Sequence, residues 1–366
     1  MNKIIINEIG SSLNTILLKE NPKSILLITG KKSYKKSIAE NYFNTILSRF
    51  SIIIYKKNKK NCCFNEINTF LKKVNKITFD IIIAYGGGSV IDFSKIIALF
   101  KNNIKLFNSS FLNTTHVLNK TPIVAIPTTA GSGAESTQFA VIYKKNIKFS
   151  ILNKTIIPKY AILDVKTTLS LSKHQIASSG IDALCQSIES LWAKNKNEKS
   201  EEYALKSLKL IYPNIIDSFK GKEKNLSLML LGSNLSGKAI NISQTTAPHA
   251  MSYYLSAFHN IPHGEAVAIN LEPFIKINFN CIQDKVKTKL LKIFEVKTKN
   301  EFIKCIQIIK FKLGLKSNLS EIKNLNLEQY LSYINIERLK NKPIEINKKN
   351  IRNIISNSFY KLSNFI

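Results

Sequence analysis

The chain is expected to fold as an α/β N-terminal domain built on a parallel sheet, followed by an all-α C-terminal domain. Three observations predict this. Short apolar runs alternate with helix-like stretches through the first half. After about Leu171 strand-like runs become scarce and helical periodicity takes over. A length of 366 residues exceeds one typical domain and suits two.

The expected strands are residues 24–29 (SILLIT, closed by Gly30), 50–55 (FSIIIY), 80–85 (DIIIAY) and 122–126 (PIVAI). Continuous apolar runs of this length fit strands covered on both faces. Helix-like stretches at 34–48 and 65–74 lie between them, and strands alternating with helices imply a parallel sheet. A Thr/Ser/Lys-rich stretch at 164–173 marks the boundary, giving domains 1–171 and 172–366. Beyond it Leu205, Leu208 and Tyr212 follow one helical face, as do Leu228, Leu231 and Leu235. The Lys/Asn/Ile-rich residues 280–350 are read as further helices.

Composition narrows the function classes. An apolar content of 44% is ordinary for a globular protein. No apolar run approaches the roughly 18 residues that span a bilayer. Residues 1–20 are broken by Asn7, Glu8 and Gly10, so no signal-peptide core is read and a cytoplasmic location is expected. Five scattered cysteines without a CxxC pair argue against a disulfide framework and a Cys-rich zinc site. The net charge of +30 raises a nucleic-acid hypothesis. Against it, only Arg49, Arg338 and Arg352 are arginine, the residue that reads bases and phosphates bidentately. The lysines run along the whole chain among abundant Asn and Ile, as A/T-rich codon usage would give. A solvated lysine surface is the simpler reading, although its field would draw anionic substrates.

Two loops carry phosphate-binding chemistry. The third strand runs into Gly86-Gly87-Gly88-Ser89 and then a helix-like run. Glycines let the backbone approach a ligand, and the helix would aim free N–H groups and its positive end at a phosphate. A simple tight turn is the bland alternative, since the spacing is not GxGxxG. After the fourth strand, residues 127–135 (PTTAGSGAE) place hydroxyls where open α/β sheets bind ligands. The same stretch also reads as a helix N-cap with Ser132 and Glu135 in a capping box.

A metal constellation follows. Asp182 and Gln186 are i and i+4 within IDALCQSIESLWA and share a helical face, with Ile188 and Trp192 packed. His249 and His263 each follow a proline and are each expected to open a helix. Two imidazoles, a carboxylate and an amide oxygen suit a divalent transition metal. For either histidine alone, a capping or core role would be the simpler reading.

These residues resemble the iron-containing (group III) alcohol dehydrogenase family. The matching motifs are GGGSVIDFSK (86–95), PTTAGSGAE (127–135), GIDALCQSIES (180–190), PHAMSYYLSAFHNIPHGEA (248–266) and the tail ERLKNKP (337–343). The resemblance implies a Rossmann-like dinucleotide-binding domain, an all-helical metal-binding domain, a cleft between them and often a homodimer. This is the architecture shared with dehydroquinate synthase-like enzymes. Carried over by position, Gly30, Gly87, Gly88, Ser89, Asp92, Thr128, Thr129 and Ser132 would hold NAD(P)H. Asp182, His249 and His263 fall on three metal ligands, for Fe2+ or alternatively Zn2+, and the fourth, usually His, is Gln186. Residues 237–253 also resemble phosphonoacetaldehyde reductases, which form 2-hydroxyethylphosphonate.

Two departures matter. Where many members carry a second histidine, this chain has Tyr253, so a proton relay would fall to Tyr253 or His259. Where NAD-preferring members end the first strand in Asp, this chain has Gly30 followed by Lys31 and Lys32, which predicts acceptance of NADPH. The expected activity is metal-assisted reduction of a small aldehyde, with Lys238 as the candidate partner of a substrate phosphonate. Competing expectations are another small alcohol or diol as substrate, a basic nucleic-acid-binding protein, and a metal-free binding protein.

Overall fold

The computed structural model describes residues 3–359 apart from 7, 32–33, 35–39, 41–42, 46–47, 76, 146, 335–338, 342 and 345–347, and the side chains of 348–349 and 356–359. The helix expected at 34–48 therefore lies largely outside the described residues, as do Lys32 and part of the 337–343 tail. The chain divides into two compact units, Met1–Leu171 and Ser172–Ile366.

The first unit is an α/β layer structure. Its strands are β1 (Lys3–Ile5), β2 (Ser24–Gly30), β3 (Ser51–Lys57), β4 (Ile81–Gly86), β5 (Ile123–Pro127) and β8 (Tyr160–Ile162), in the order β1-β8-β5-β4-β2-β3. Every pairing is parallel, with Ile25 opposite Ile81 and Leu27 opposite Ile83. Successive side chains point to opposite faces, and β2, β3, β4 and β5 each feed two cores. Leu26, Ile28, Ile82, Ala84, Ile123 and Ala125 pack on one face with helices α2 (Phe64–Val74) and α3 (Gly88–Phe100). Ile25, Leu27, Ile83, Val124 and Ile126 pack on the other with α1 (Ile9–Glu20). Asp80 pins the start of β2 to β4, its Oδ2 accepting from the amides of Lys23 (2.8 Å) and Ser24 (2.9 Å). A short helix, α4 (Ile104–Ser110), completes the α layer.

Chain direction across the sheet reverses at β2, which has β3 on one side and β4 on the other. The carboxyl ends at such a reversal form the crevice where open α/β sheets bind ligands.

Two features depart from the sequence reading. An antiparallel ribbon, β6 (Phe139–Lys144) and β7 (Ile147–Leu152), lies outside the parallel sheet. Lys95, fully buried on α3, fastens to it by donating to Thr137 O (2.8 Å), Thr137 Oγ1 (3.0 Å) and Phe139 O (2.8 Å). The expected helix cap at Ser132 and Glu135 is not formed. Gly133 takes φ +58, and Ala134–Ser136 makes a single 3-10 turn before β6, too short to leave a helix terminus needing a box.

Among the described residues of the second unit every regular element is helical: α5 (Lys173–Trp192), α6 (Glu198–Phe219), α7 (Glu223–Ser243), α8 (Ala247–Phe258), α9 (His263–Asn278), α10 (Asp284–Ile293), α11 (Lys299–Lys312), α12 (Leu327–Ser332) and α13 (Lys348–Phe359). A capping box between Ser172 and Gln175 starts α5, which is buried from Ile176 to Trp192 except at Ser179. Leu205 and Leu208 are buried, Tyr212 partly. The stripe Leu228, Leu231, Leu235 is only half-buried; α7 turns Leu226, Met229, Leu230 and Ser233 inward instead. Its neighbours α5 and α6 select that face by their own apolar contacts. Among the described residues no helix is long and apolar enough to cross a membrane.

Candidate functional site

In the first unit the two glycine- and hydroxyl-bearing loops meet at the carboxyl ends of β4 and β5. Thr128 N donates to Gly86 O (3.1 Å). A Cβ on Gly87 would lie 3.3 Å from Thr129 Oγ1, and one on Gly88 only 2.6 Å from Ser132 Oγ. A side chain at either position would press on the hydroxyls of the second loop, which closes over the first. The N-terminus of α3 has no side-chain cap, and Ser89 sits partly exposed in its first turn. A bare helix end ringed by hydroxyls suits a pyrophosphate. Gly30 ends β2 across the reversal, and Lys31 beside it is exposed. Asp92 faces the ribbon: its Oδ2 accepts from Val141 N (3.1 Å), and burial pushes its carboxyl up to about 6 against the pull of Lys95.

In the second unit three helices build a buried polar centre. Asp182, Gln186 and Glu189 are spaced i, i+4, i+7 on α5 and form one stripe. Pro248, the second residue of α8, fixes the start of that helix and puts His249 in its first turn, while His263 is the first residue of α9. Gly264 brings α9 hard against α5, since a Cβ there would lie 1.9 Å from Ser178 O and 2.8 Å from Asp182 Cβ.

Asp182, His249 and His263 each offer a ligand atom within 4.8 Å of the others. The two imidazoles are edge to face, with centroids 5.5 Å apart. His249 Nδ1 bonds Glu189 Oε1 closely, and its Nε2 faces Asp182 Oδ1 at 3.3 Å. His263 Nδ1 lies 3.3 Å from Ser252 Oγ, whose own proton goes to His249 O (2.8 Å). The Nδ1 of each ring is thereby engaged, leaving the Nε2 atoms as the donors. His249 Nε2 is buried and lacks an aligned hydrogen bond. Burial disfavours its imidazolium, but Glu189 and Asp182 outweigh that and push it up to about 10. A carboxylate and two imidazoles so gathered fit a divalent transition metal.

The other expected residues divide. Gln186 reaches the centre, but its Oε1 accepts from Ser236 Oγ (2.5 Å) while its Nε2 lies 3.3 Å from Asp182 Oδ2. Tyr253 stacks beside His263, with centroids 6.5 Å apart. His259 ends α8 and packs on Tyr254, roughly 15 Å along the helix axis from His249 at about 1.5 Å per residue. Lys238 holds its ammonium over the Tyr203 ring (5.7 Å). It lies about 200° around α7 from Ser236, the residue that touches Gln186. Glu189, Thr246 and Ser252 were missed from sequence. The signal for Glu189 was present in the continuing polar stripe Asp182, Gln186, Glu189 on an otherwise apolar helix.

Comparison with known proteins fits this geometry. The model of the iron-containing alcohol dehydrogenase family matches residues 2–165. The model of the Fe-containing alcohol dehydrogenase family C-terminal domain matches residues 176–359. Alcohol dehydrogenase 4 of Saccharomyces cerevisiae is 28% identical over 286 residues, covering 74% of this chain and 73% of its own. An iron-containing alcohol dehydrogenase from Thermotoga maritima superposes with a TM-score of 0.86 at 26% identity, covering 98% of each chain. Sulfoacetaldehyde reductase from Bifidobacterium kashiwanohense, solved with NAD+, shares the fold with a TM-score of 0.89 at 24% identity, covering 98% of this chain and 97% of that one. With both family models matched in order along the chain and the ligand cluster gathered on three helices, this protein belongs to the iron-containing alcohol dehydrogenase family.

Proposed function

We propose that this chain reduces a small aldehyde with NAD(P)H at a divalent metal, Fe2+ first and Zn2+ as the alternative. One observation carries the reading: Asp182, His249 and His263 offer ligand atoms within 4.8 Å, with both Nδ1 atoms already engaged. When bound, the cation supplies Lewis acidity and reduced nicotinamide supplies hydride. The chain's own residues do the rest. Gly87, Gly88, Ser89, Thr128, Thr129 and Ser132 cradle the pyrophosphate at the start of α3. The domain roles follow, with 1–171 binding dinucleotide and 172–366 holding the metal. Buried surroundings keep water from competing for the donor atoms. Tyr253, stacked beside His263, is the nearer of the two candidates to deliver a proton from its hydroxyl; His259 packs at the far end of α8.

As substrate we propose phosphonoacetaldehyde, supported by the resemblance of residues 237–253 to reductases of that compound. Lys238 would pair with the phosphonate. A neutral small aldehyde or alcohol is the second reading, favoured by the placement of Lys238 over Tyr203. An aldehyde panel followed by loss of NADPH or NADH absorbance tests both. Lys238→Ala should raise KM for the phosphonate aldehyde about tenfold and leave a neutral one unchanged; equal effects remove Lys238 from the site. Full activity after exhaustive chelation, with no metal by elemental analysis, would overturn the metal-assisted reading.

A further inference from the structure

We infer that Glu189 is a positioning residue for the metal centre: one carboxylate oxygen holds His249 Nδ1, the other is locked onto Thr246, and His249 Nε2 is thereby aimed at Asp182 and His263. The inference rests on the reading that those three residues hold a cation.

Glu189 is completely buried, seven residues after Asp182 on the same stripe of α5. Its Oε2 accepts from Thr246 N (2.6 Å) and Thr246 Oγ1 (2.7 Å), while its Oε1 bonds His249 Nδ1. Trp192 Nε1 donates to Thr246 Oγ1 (3.0 Å) and so fixes the direction of that hydroxyl proton. Thr246 is the N-cap of α8 and makes no side-chain cap of its own. Glu189 instead accepts the N-cap residue's own amide from another helix, at a helix start where a negative charge is favoured.

The chemistry demands a carboxylate. Three donors converge on Glu189: the Thr246 amide, the Thr246 hydroxyl and the His249 ring N–H. Only an acceptor-only group satisfies all three. A glutamine would have to turn its NH2 toward one side. Facing Thr246, that NH2 meets another N–H. Facing His249, it demands a bare Nδ1 and moves the ring proton to Nε2, the atom needed for a metal. Glu189 therefore keeps the proton on Nδ1 and makes Nε2 the electron-pair donor, as outer carboxylates do for ligating histidines. His263 has the Ser252 hydroxyl at its Nδ1 in the equivalent place.

The test compares wild type, E189Q, E189D and H249A, each stripped and titrated with Zn2+ and Co2+ against a competing chelator. Co2+ absorption and the melt of the metal-free protein are recorded alongside. E189Q is expected to weaken metal binding about 10- to 100-fold and alter the Co2+ bands, with E189D recovering part of the affinity. A drop in the metal-free melt with affinity and Co2+ bands unchanged assigns Glu189 a purely structural role and overturns the inference. Should E189Q lose its cooperative melt, Thr246→Val decides: weakened affinity supports the inference and wild-type affinity overturns it. If H249A binds metal as wild type does, the underlying reading fails. If H249A loses metal while E189Q keeps it, the inference alone fails.

Discussion

Replacing Gly264 by alanine tests whether the metal centre depends on the close approach of α5 and α9. The added Cβ would lie 1.9 Å from Ser178 O and 2.8 Å from Asp182 Cβ. A comfortable C···O contact is about 3.3 Å, so the helices must part by about 1.4 Å at this point. The obstacle is backbone, so no side chain can swing away. Asp182 rides on one helix and His263 on the other, next to the substitution. Metal–ligand distances tolerate about 0.2 Å, so a displacement near 1 Å should weaken Zn2+ or Co2+ binding at least 10-fold. Overpacking should also cost about 1–3 kcal/mol, lowering Tm by several degrees for a unit of this size. Gly180→Ala on the same α5 is the control. Its Cβ would meet Met229 Cε at 3.0 Å, the free end of a flexible side chain, so stability and metal affinity should stay close to wild type. The assays are chelator competition and a thermal melt of the stripped protein. If G264A keeps its metal affinity within twofold and its melt unchanged, the close-approach argument is wrong.

Three further outcomes are expected. Gln186→His should tighten Zn2+ binding at least tenfold in chelator competition, because an imidazole replaces an amide whose oxygen is engaged by Ser236; unchanged affinity would place residue 186 outside the coordination sphere. Asp80 is held below the usual carboxylate range by the amides of Ser24 and Lys23, so its contribution is complete above about pH 4 and fades as pH falls through its lowered value. Asp80→Ala should cost at most about 1 kcal/mol at pH 7 for this exposed group and progressively less as pH falls through the lowered value; a pH-independent difference in denaturant melts contradicts this. Gly30→Asp should shift kcat/KM toward NADH at least tenfold by placing a carboxylate at the end of β2, and an unchanged ratio would remove this position from cofactor choice.

Much of the fold was legible because its central strands β2, β4 and β5 are buried on both faces and read as unbroken apolar runs, such as IIIAY in β4, while the half-exposed edge strand β3 is still a run of β-branched residues. The ribbon β6–β7 was not. FAVIYK and IKFSIL alternate only loosely, and part of what fastens the ribbon is the buried ammonium of Lys95 at the start of β6, a contact between residues more than forty apart in sequence. The face of α7 was misjudged for a related reason. Leucine spacing marks a possible face, but neighbouring helices decide which face is covered. At the candidate site, the i, i+4 spacing brought Asp182 and Gln186 together in advance, and the paired prolines indicated where His249 and His263 begin their helices. The groups behind the histidines were hidden. Glu189 meets His249 across 60 residues of sequence, and Ser252 meets His263 only through the turn between α8 and α9.

Asp182 stands on α5, whereas its two imidazole companions arrive on separate, later helices. An ion gripped by all three would bind the folded unit and not the unfolded chain, joining three otherwise independent rods at one end. Resistance of the helical half to heat and protease therefore becomes a property of the loaded protein, rising with the concentration of free ion. The α/β half, which carries none of these three ligands, should show no such dependence.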